Sequence, residues 1–316
     1  MLIIRNKIND PYFNIASEEY LLKSFDDDIF MLYINEPSII VGKHQNTLAE
    51  INYCYVKENN ISVIRRISGG GTVFHDLGNV NFLFIKNGRD GHLVDFKGFT
   101  EPIIEVLQSL GIDARFEGKN DIRVNGLKIS GNAEHVFKNR TLHHGTLLFS
   151  SNLDFLNEAI RVDADKYQSK AVQSNRSNVT NIALQLASDL SIDRFMDLIY
   201  NQIEKKQNCE LYEWSDNDWE AIIKLKEEKY ETWDWNYGYS TQYTITREIK
   251  IDHEELLFKL TVDKGIIIDV FVKTSLMNEE LALLSLKGCK HKEEDMLHKL
   301  EQTNSGRLKE FVFELF

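Results

Sequence analysis

Apolar residues recur along the chain in short runs bounded by glycine, proline, asparagine or aspartate. MLIIRN at the start reads as a strand. Asp10 before Pro11 predicts a helix start, because Asp caps free amides and Pro fits the first helical position. Phe13, Ala16 and Tyr20 then recur at helical spacing. Residues 29–43 read as two strands broken at Glu36-Pro37, and ISVIRRI (61–67) and NVNFLFIK (79–86) as two more. Thr100 is the predicted N-cap of a helix to about Leu110, with Phe99 stapled onto Ile104. Its inward stripe is Ile103, Leu107 and Leu110, and Gly111 ends it. Asn125-Gly126 between strand-like arms predicts a hairpin, and TLHHGTLLFSS (141–151) a following strand. Residues 152–230 are mostly helical in pattern, with charged faces.

The pattern changes at ETWDWNYGYST (231–241). Beyond it Leu256, Phe258, Leu260 and Val262 alternate with other positions, and Asp263-Lys264-Gly265 turns into IIIDVFV. The expected division is 1–243 as a large domain and 244–316 as a small one, with the boundary inside 231–245. The aromatic cluster Trp233, Trp235, Tyr237 and Tyr239 reads as core at the junction.

RRISGGGTVFHDLGNVNF, residues 65–82, is unusual. A plain turn needs one or two glycines, and each further one costs about 0.5–1 kcal/mol relative to Ala. The spacing is not that of a P-loop, and a purely structural turn is one reading. The other rests on its neighbours. Arg65 and Arg66 precede the glycines and His75-Asp76 follow. Successive amides of such a turn can form an anion-binding concavity, and arginine pairs well with phosphate or carboxylate. On this reading residues 69–71 are kept bare so that an anionic ligand can lie against the backbone.

KNDIRVNGLKISGNA, residues 119–133, is a second candidate. Lys128 follows the predicted turn, and the small Ser130-Gly131 beside it leave room for a ligand. Its ammonium can neutralise a phosphate as a point charge. Adjacent histidines on a strand point to opposite faces, so His143-His144 reads as a packed or hydrogen-bonded pair rather than a chelate. No G-x-S-x-G is present. Asp26-Asp27-Asp28 reads as a solvated loop.

Composition narrows the classes. The 316 residues are 42% apolar and 27% charged, as in a globular protein with a sizeable core. With 37 basic and 49 acidic residues the formal charge is -12, which argues against nucleic acid held on a broad basic face. It leaves room for a small basic pocket. Cys54, Cys209 and Cys289 form no C-x-x-C pair and read as reduced thiols of a cytoplasmic protein. The N-terminus is too polar for a signal peptide, and no run approaches transmembrane length, so no membrane partner is expected.

RRISGGGTVFHDLGNVNF, NDIRVNGLKISGNA, HHGTLLF and NVTN (178–181), in this order, closely resemble the lipoate–protein ligases. The likeness spans about residues 1–245, and the tail is similar to the accessory domain of two-domain ligases. The resemblance implies an α/β (α+β) fold: a mixed-sheet catalytic domain, of the kind shared with biotin protein ligases, and a small α/β C-terminal domain. It implies that lipoate and ATP, with magnesium, give lipoyl-adenylate and pyrophosphate. The acyl group then passes to a lysine of an acceptor domain, in 2-oxoacid dehydrogenase E2 subunits or the glycine cleavage H protein. It assigns nucleotide binding to Arg66, Gly71, Thr72, Val73 and Phe74, and contact with both ATP and lipoate to Lys128. Gly70 and His75 fall on the lipoate side. Arg65, Asn120, Ser130 and His144 are supporting positions, and Asp121 is the candidate magnesium contact. The same fold also hosts octanoyl or lipoyl transferases that use a pre-activated donor without ATP, and it could serve a non-catalytic binding module. Residues 129–160 contain no cysteine, which disfavours a thioester route.

Overall fold

A computed structural model describes residues 1–88, 94–160, 166–175, 177–251, 253–303 and 307–316. In chain order the elements are β1 (Leu2–Arg5), α1 (Pro11–Ser24), β2 (Ile29–Ile34), β3 (Ser38–Val41), α2 (Tyr53–Glu58), β4 (Ser62–Arg65), β5 (Val73–His75) and β6 (Asn79–Asn87). There follow α3 (Phe96–Ser109), β7 (Arg115–Glu117), β8 (Asp121–Val124), β9 (Leu127–Phe137), β10 (Arg140–Leu148), α4 (Leu153–Ala159), β11 (Tyr167–Ser169), α5 (Ile192–Lys206), β12 (Glu210–Leu211) and α6 (Asp216–Leu225). The last are β13 (Tyr243–Ile251), β14 (Glu254–Asp263), β15 (Ile266–Lys273), α7 (Met277–Ser285) and α8 (Glu293–Glu301). Among the described residues no helix is long and apolar enough to cross a membrane.

The chain forms two compact units. The first is Met1–Lys43, Ile61–Asn157 and Ser174–Glu231; the second is His44–Asn60, Glu158–Gln173 and Thr232–Phe316. The second unit thus takes in the tail expected after 243 together with two earlier segments.

In the first unit a mixed sheet runs β12-β1-β2-β6-β10-β9-β8-β7. β12, β1 and β2 are parallel, and the remaining pairs are antiparallel. Phe30, Phe82 and Phe84 from the strands meet Ile103 and Leu107 of α3 and Phe195, Ile199 and Ile203 of α5 in one core. Tyr200 of α5 donates to Ile4 O (2.8 Å) and accepts from Leu32 N (3.0 Å), which fastens the helix to β1 and β2. A smaller sheet, β4-β3-β5, carries the glycine stretch between its outer strands.

Several local signals act as read. Asp10 accepts from the amides of Tyr12 and Phe13, and Pro11 opens α1. Asn125 and Gly126 both take positive φ (52° and 79°), as the two-residue turn between β8 and β9 requires. Other expectations need correction. The third helix starts at Phe96, capped by Asp95, not at Thr100. Asp95 accepts from Gly98 N at 2.9 Å, and a Cβ on Gly98 would overlap that carboxylate. Thr100 instead bonds back to Phe96 O and Lys97 O inside the helix. Residues 152–230 are only partly helical: 167–169 form a strand, and much of 170–181 is extended or irregular. β5 was not foreseen, because three residues are too short to show a period.

In the second unit β11-β13-β14-β15 form an antiparallel sheet. Leu256, Phe258, Leu260 and Val262 are all fully buried on one face of β14. Lys264 and Gly265 make the turn with positive φ. A Cβ on Gly265 would lie 2.6 Å from the Trp233 ring, so Trp233 packs within this unit.

On β9 and β10, His143 is fully buried between Glu134 and Asn132. Nδ1 lies 2.9 Å from Glu134 Oε1, and Nε2 3.2 Å from Asn132 Oδ1. Asn132 spends its NH2 on Asn120 O and Ser130 Oγ, so its oxygen accepts and His143 Nε2 is the donor. Burial, with His144 and Lys86 nearby, holds His143 well below its ordinary pKa. Burial, with Asp95 adding repulsion, raises Glu134 to about 7. The pair therefore carries one proton, on Glu134, between the ordinary pKa values of the two residues. The unfolded pair also carries one there, on the histidine, so the native pair adds little pH dependence to stability. Glu134→Gln removes that balance: the unfolded histidine gains a proton below about pH 6.5 and the native one does not. Above neutral pH the variant is expected to be the more stable of the two, because it avoids burying the charged Glu134 carboxylate. It should lose about 2 kcal/mol relative to wild type between pH 6.5 and 4.5. Denaturant melts at a series of pH values measure this, and parallel curves for the two proteins would contradict it.

Candidate active site

The two arginines before the glycines are both buried and both bind main-chain carbonyls. Arg65 Nη1 donates to Gly42 O and Lys43 O, each at 3.1 Å. Arg66 donates from Nη1 to Ile40 O (3.0 Å) and from Nη2 to Gly69 O (2.6 Å) and Gly71 O (2.7 Å). Its Nε donates to Ser68 Oγ (2.9 Å). Burial lowers Arg66 to about 10, opposed by Glu18 and Tyr33, so it stays charged at neutral pH. The guanidinium expected to meet a ligand thus also shapes the loop beside it.

The three glycines differ. Gly70 has φ +86°, and a Cβ there would also lie 3.1 Å from Arg66 Nη2. A Cβ on Gly71 would meet Ser174 Oγ at 3.0 Å and its Cα at 3.3 Å. Gly69 has open space where a Cβ would stand. Thr72 N donates to Ser174 Oγ at 2.8 Å, so the segment from 174 lies against the loop. Downstream, Val73 and Phe74 pair with Ile40 and Ile39. The Phe74 side chain is buried against Phe155.

His75 and His144 end two buried relays. Ile8 N donates to Asn6 Oδ1, Asn6 Nδ2 to Asn14 Oδ1, and Asn14 Nδ2 to both Ile8 O and Asn35 Oδ1. Backbone groups fix each amide, so Asn35 Nδ2 donates to His75 Nδ1 (2.9 Å). The proton of neutral His75 is therefore on Nε2, which is buried and without a partner among the described residues. Burial, with Arg66 and His144 near, lowers His75 to about 3. On β10, His144 Nδ1 meets Glu18 Oε2 (2.7 Å) and Nε2 meets Ser68 Oγ (2.6 Å). Tyr33 donates to the other oxygen of Glu18 at 2.8 Å. His143 and His144 do face opposite sides of the sheet, each with its own carboxylate.

Lys128 sits at a bulge. The β8–β9 register passes from Ile122↔Ser130 to Arg123↔Lys128, leaving Ile129 extra. On a regular strand Lys128 and Gly131 would point to opposite faces. The added residue brings them to the same side. The lysine lies across Gly131, where a Cβ would be 3.0 Å from both Cε and Nζ. Nζ is 2.8 Å from Asp121 Oδ1, and Arg123 Nη2 is 2.8 Å from Oδ2 of the same carboxylate. The Lys128 backbone donates to Asn178 O and accepts from Thr180 N. Asn181 then closes a reciprocal pair with Ser151. Asn120 is spent on Asn132 O, and buried Ser130 accepts from Asn132. A metal ion at Asp121 would share the carboxylate with two cations, and the residues present do not fit one.

The structure thus brings residues 174 and 178 of one segment against the glycine loop and Lys128 respectively. Sequence reasoning missed Ser174, Glu18, Tyr33 and Asn35. One signal was available: Asn14, Ser17 and Glu18 are polar at helical spacing beside Phe13 and Ala16, and all are buried.

The open Cβ position makes Gly69 the test of the bare-backbone argument. Gly69→Val should leave stability within about 0.5 kcal/mol, while lowering affinity for a non-hydrolysable ATP analogue about tenfold. Gly71→Val should cost about 1–3 kcal/mol through Ser174. Calorimetric titration and thermal melts measure both, and unchanged affinity in Gly69→Val would remove the argument.

Comparison with known proteins agrees with this architecture. The model of the lipoyl protein ligase A/B catalytic domain matches residues 10–204. Lipoate–protein ligase 1 of Staphylococcus aureus (strain Mu50) is 46% identical over 265 residues, 83% of this chain and 81% of that protein. A solved lipoate-protein ligase A bound with ATP superposes with a TM-score of 0.64 at 26% identity, covering 75% of this chain and 98% of that one. A structure from Thermoplasma acidophilum, reported as a bi-partite lipoate protein ligase and its E2 lipoyl domain, also reaches 0.64, at 28% identity. It covers 75% of this chain and 96% of that one. The mixed α/β fold is the one expected, and the chain belongs to the lipoyl protein ligase A/B family.

Proposed function

We propose that this protein is an ATP-dependent lipoate–protein ligase. A lipoate carboxylate oxygen attacks the α-phosphorus of ATP, and pyrophosphate leaves. The amine of an acceptor lysine then attacks the acyl carbon of lipoyl-adenylate, forming an amide as AMP leaves. The observation that carries this reading is the placement of Lys128, whose ammonium lies across Gly131 beside the segment that also touches the glycine loop. A fixed positive charge at the transferring phosphate lowers both barriers, because negative charge builds there in each step.

The supporting groups have distinct tasks on this reading. The amides and shaped backbone of 69–74 receive the nucleotide, with Arg66 holding the loop in form. His75 offers a neutral buried N–H, which suits an acyl oxygen, and Gly70 lies on the same side. Magnesium is carried by the ATP phosphates, with most of its other ligands water. The acceptors are lipoyl domains of 2-oxoacid dehydrogenase E2 subunits and the glycine cleavage H protein, in the cytoplasm. The E2 lipoyl domain solved with a bi-partite relative supports that class of partner. Burial raises the thiols of Cys54, Cys209 and Cys289 above their ordinary pKa, which does not favour a cysteine nucleophile.

Lipoate-dependent release of pyrophosphate from ATP tests the proposal, since a transferase or a binding module shows none. Lys128→Ala should fold normally, because Asp121 keeps Arg123 as a partner. It should lose about 100–1000-fold in rate both in adenylation and in transfer from synthetic lipoyl-adenylate. Near-normal adenylation at saturating substrate would remove Lys128 from the mechanism.

A further inference from the structure

Edge strands carry unpaired N–H and C=O groups, and natural sheets keep them short, charged or covered. Five edge strands among the described residues are short. β12 has two residues, β5, β7 and β11 have three each, and β4 has four. β15 at the edge of the second unit's sheet is different, with eight residues, IIIDVFVK, and no proline. Its beginning is covered: Ile267 N donates to Cys289 O (2.9 Å), and Ile267 O accepts from Gly288 N (2.8 Å). Ile268 is an extra residue in the register with β14. From Asp269 to Lys273 the pairing with β14 is regular, and β14 is the one backbone partner of this stretch among the described residues.

The side chains of this stretch divide by face. Val270 and Val272 lie opposite Leu260 and Phe258, on the side of the buried core. Asp269, Phe271 and Lys273 alternate with them on the other side, and all three are exposed. Phe271 is 53% exposed at the middle of the free edge. Asp269 has a surface partner, Lys287 at 3.5 Å, but both side chains are mostly in solvent, so the pair contributes little.

The charge pattern of the edge is complementary to itself. Two such strands pair antiparallel across a two-fold axis, with like faces together. Centred on Phe271, the pairing sets Asp269 opposite Lys273 of the second copy, at both ends. The two Phe271 rings then meet between these ion pairs, and Val270 meets Val272 on the core side. Other centres fail. Asp269 or Lys273 at the axis would meet its own copy as a like charge, and Val270 or Val272 there would set Phe271 against Asp269 or Lys273. Cross-strand pairs of opposite charge and of aromatic rings are stabilising, and like charges directly opposite are not.

We propose that the partner of this edge is a second copy of the chain, bound β15 to β15 in antiparallel register about Phe271, so that the two sheets become one. The association is independent of the ligase reaction.

Sedimentation equilibrium of the purified full-length protein over roughly 1–100 µM tests this. The mean mass is expected to rise with concentration from monomer toward dimer. Asp269→Lys and Lys273→Asp each place like charges opposite one another at both ends. Each should raise the dissociation constant about tenfold with little change in thermal stability, because both side chains are exposed. The double variant D269K/K273D restores opposite charges at both ends and should regain the wild-type constant. An equal mixture of the two single variants should also regain it, because the mixed pair again sets opposite charges together. The single variants are independent, so one that fails to fold leaves the other to be read. A protein that stays monomeric over the whole range would overturn the proposal. So would a dimer that neither single variant weakens, or a loss that neither the double variant nor the mixture restores.

Discussion

A guanidinium buried among carbonyls organises the candidate site. Arg66 cannot reach water, and desolvating its charge is costly unless every face is answered. It is answered by Ile40 O on β3 and by Gly69 O and Gly71 O, so the charge fixes the glycine loop against the small sheet. Its Nε holds Ser68, Ser68 meets His144, and His144 meets Glu18 of α1. One cation thereby links a loop, two sheets and a helix. The Glu18 carboxylate lies near enough to oppose the effect of burial on that charge. A lysine could not do this, because its donors all sit on one nitrogen, whereas Arg66 reaches Ser68, Ile40 and the two loop carbonyls from three separate nitrogens of a planar fork.

The β9 bulge does for Lys128 what Arg66 does for the loop. Without Ile129 as an extra residue, strand alternation would send the lysine away from Gly131. The bare glycine leaves that place to the lysine chain, whose Cε and Nζ would have to shift from a Cβ there. The NVTN segment completes the arrangement through main-chain bonds to Lys128. Such bonds depend on backbone position and carry no side-chain signature.

That distinction explains what could be read in advance. Asn125-Gly126, Asp10-Pro11 and the alternation at 256–262 were legible because each obeys a local rule of φ, capping or period. Lys128 and the glycine stretch were legible as unusual residues in unusual company. Their partners were not. Ser174 lies 102 residues from the Thr72 amide it accepts from, and Glu18 126 from His144. The start of α3 was misplaced for a local reason: Asp95 and Thr100 are both good caps, and Gly98 decides between them by leaving room for the Asp95 carboxylate. Asp121 was read as a magnesium contact, since its pairing with Lys128 and Arg123 depends on two cations that sequence spacing alone does not aim at it.

The Asp121 triad also bears on how a charged residue can serve two steps. Lys128 paired with a lone carboxylate would be hard to turn toward a phosphate, because the carboxylate left behind would lose its partner in a partly buried place. Arg123 changes that balance. It binds the other oxygen of Asp121 and also donates to Gly126 O and Ser177 Oγ, so it stays when the lysine turns away. On the proposed reading, Lys128 is held by an interaction that it would exchange for a phosphate and regain once the phosphate leaves. Arg123 holds one end of the segment that continues into Asn178, while Ser174 holds the other end against Gly71 and Thr72. On that reading the main-chain bonds of Lys128 to Asn178 and Thr180 stay in place while its ammonium changes partners. A residue meant to stabilise charge in two successive reactions needs that combination of a fixed frame and an exchangeable contact.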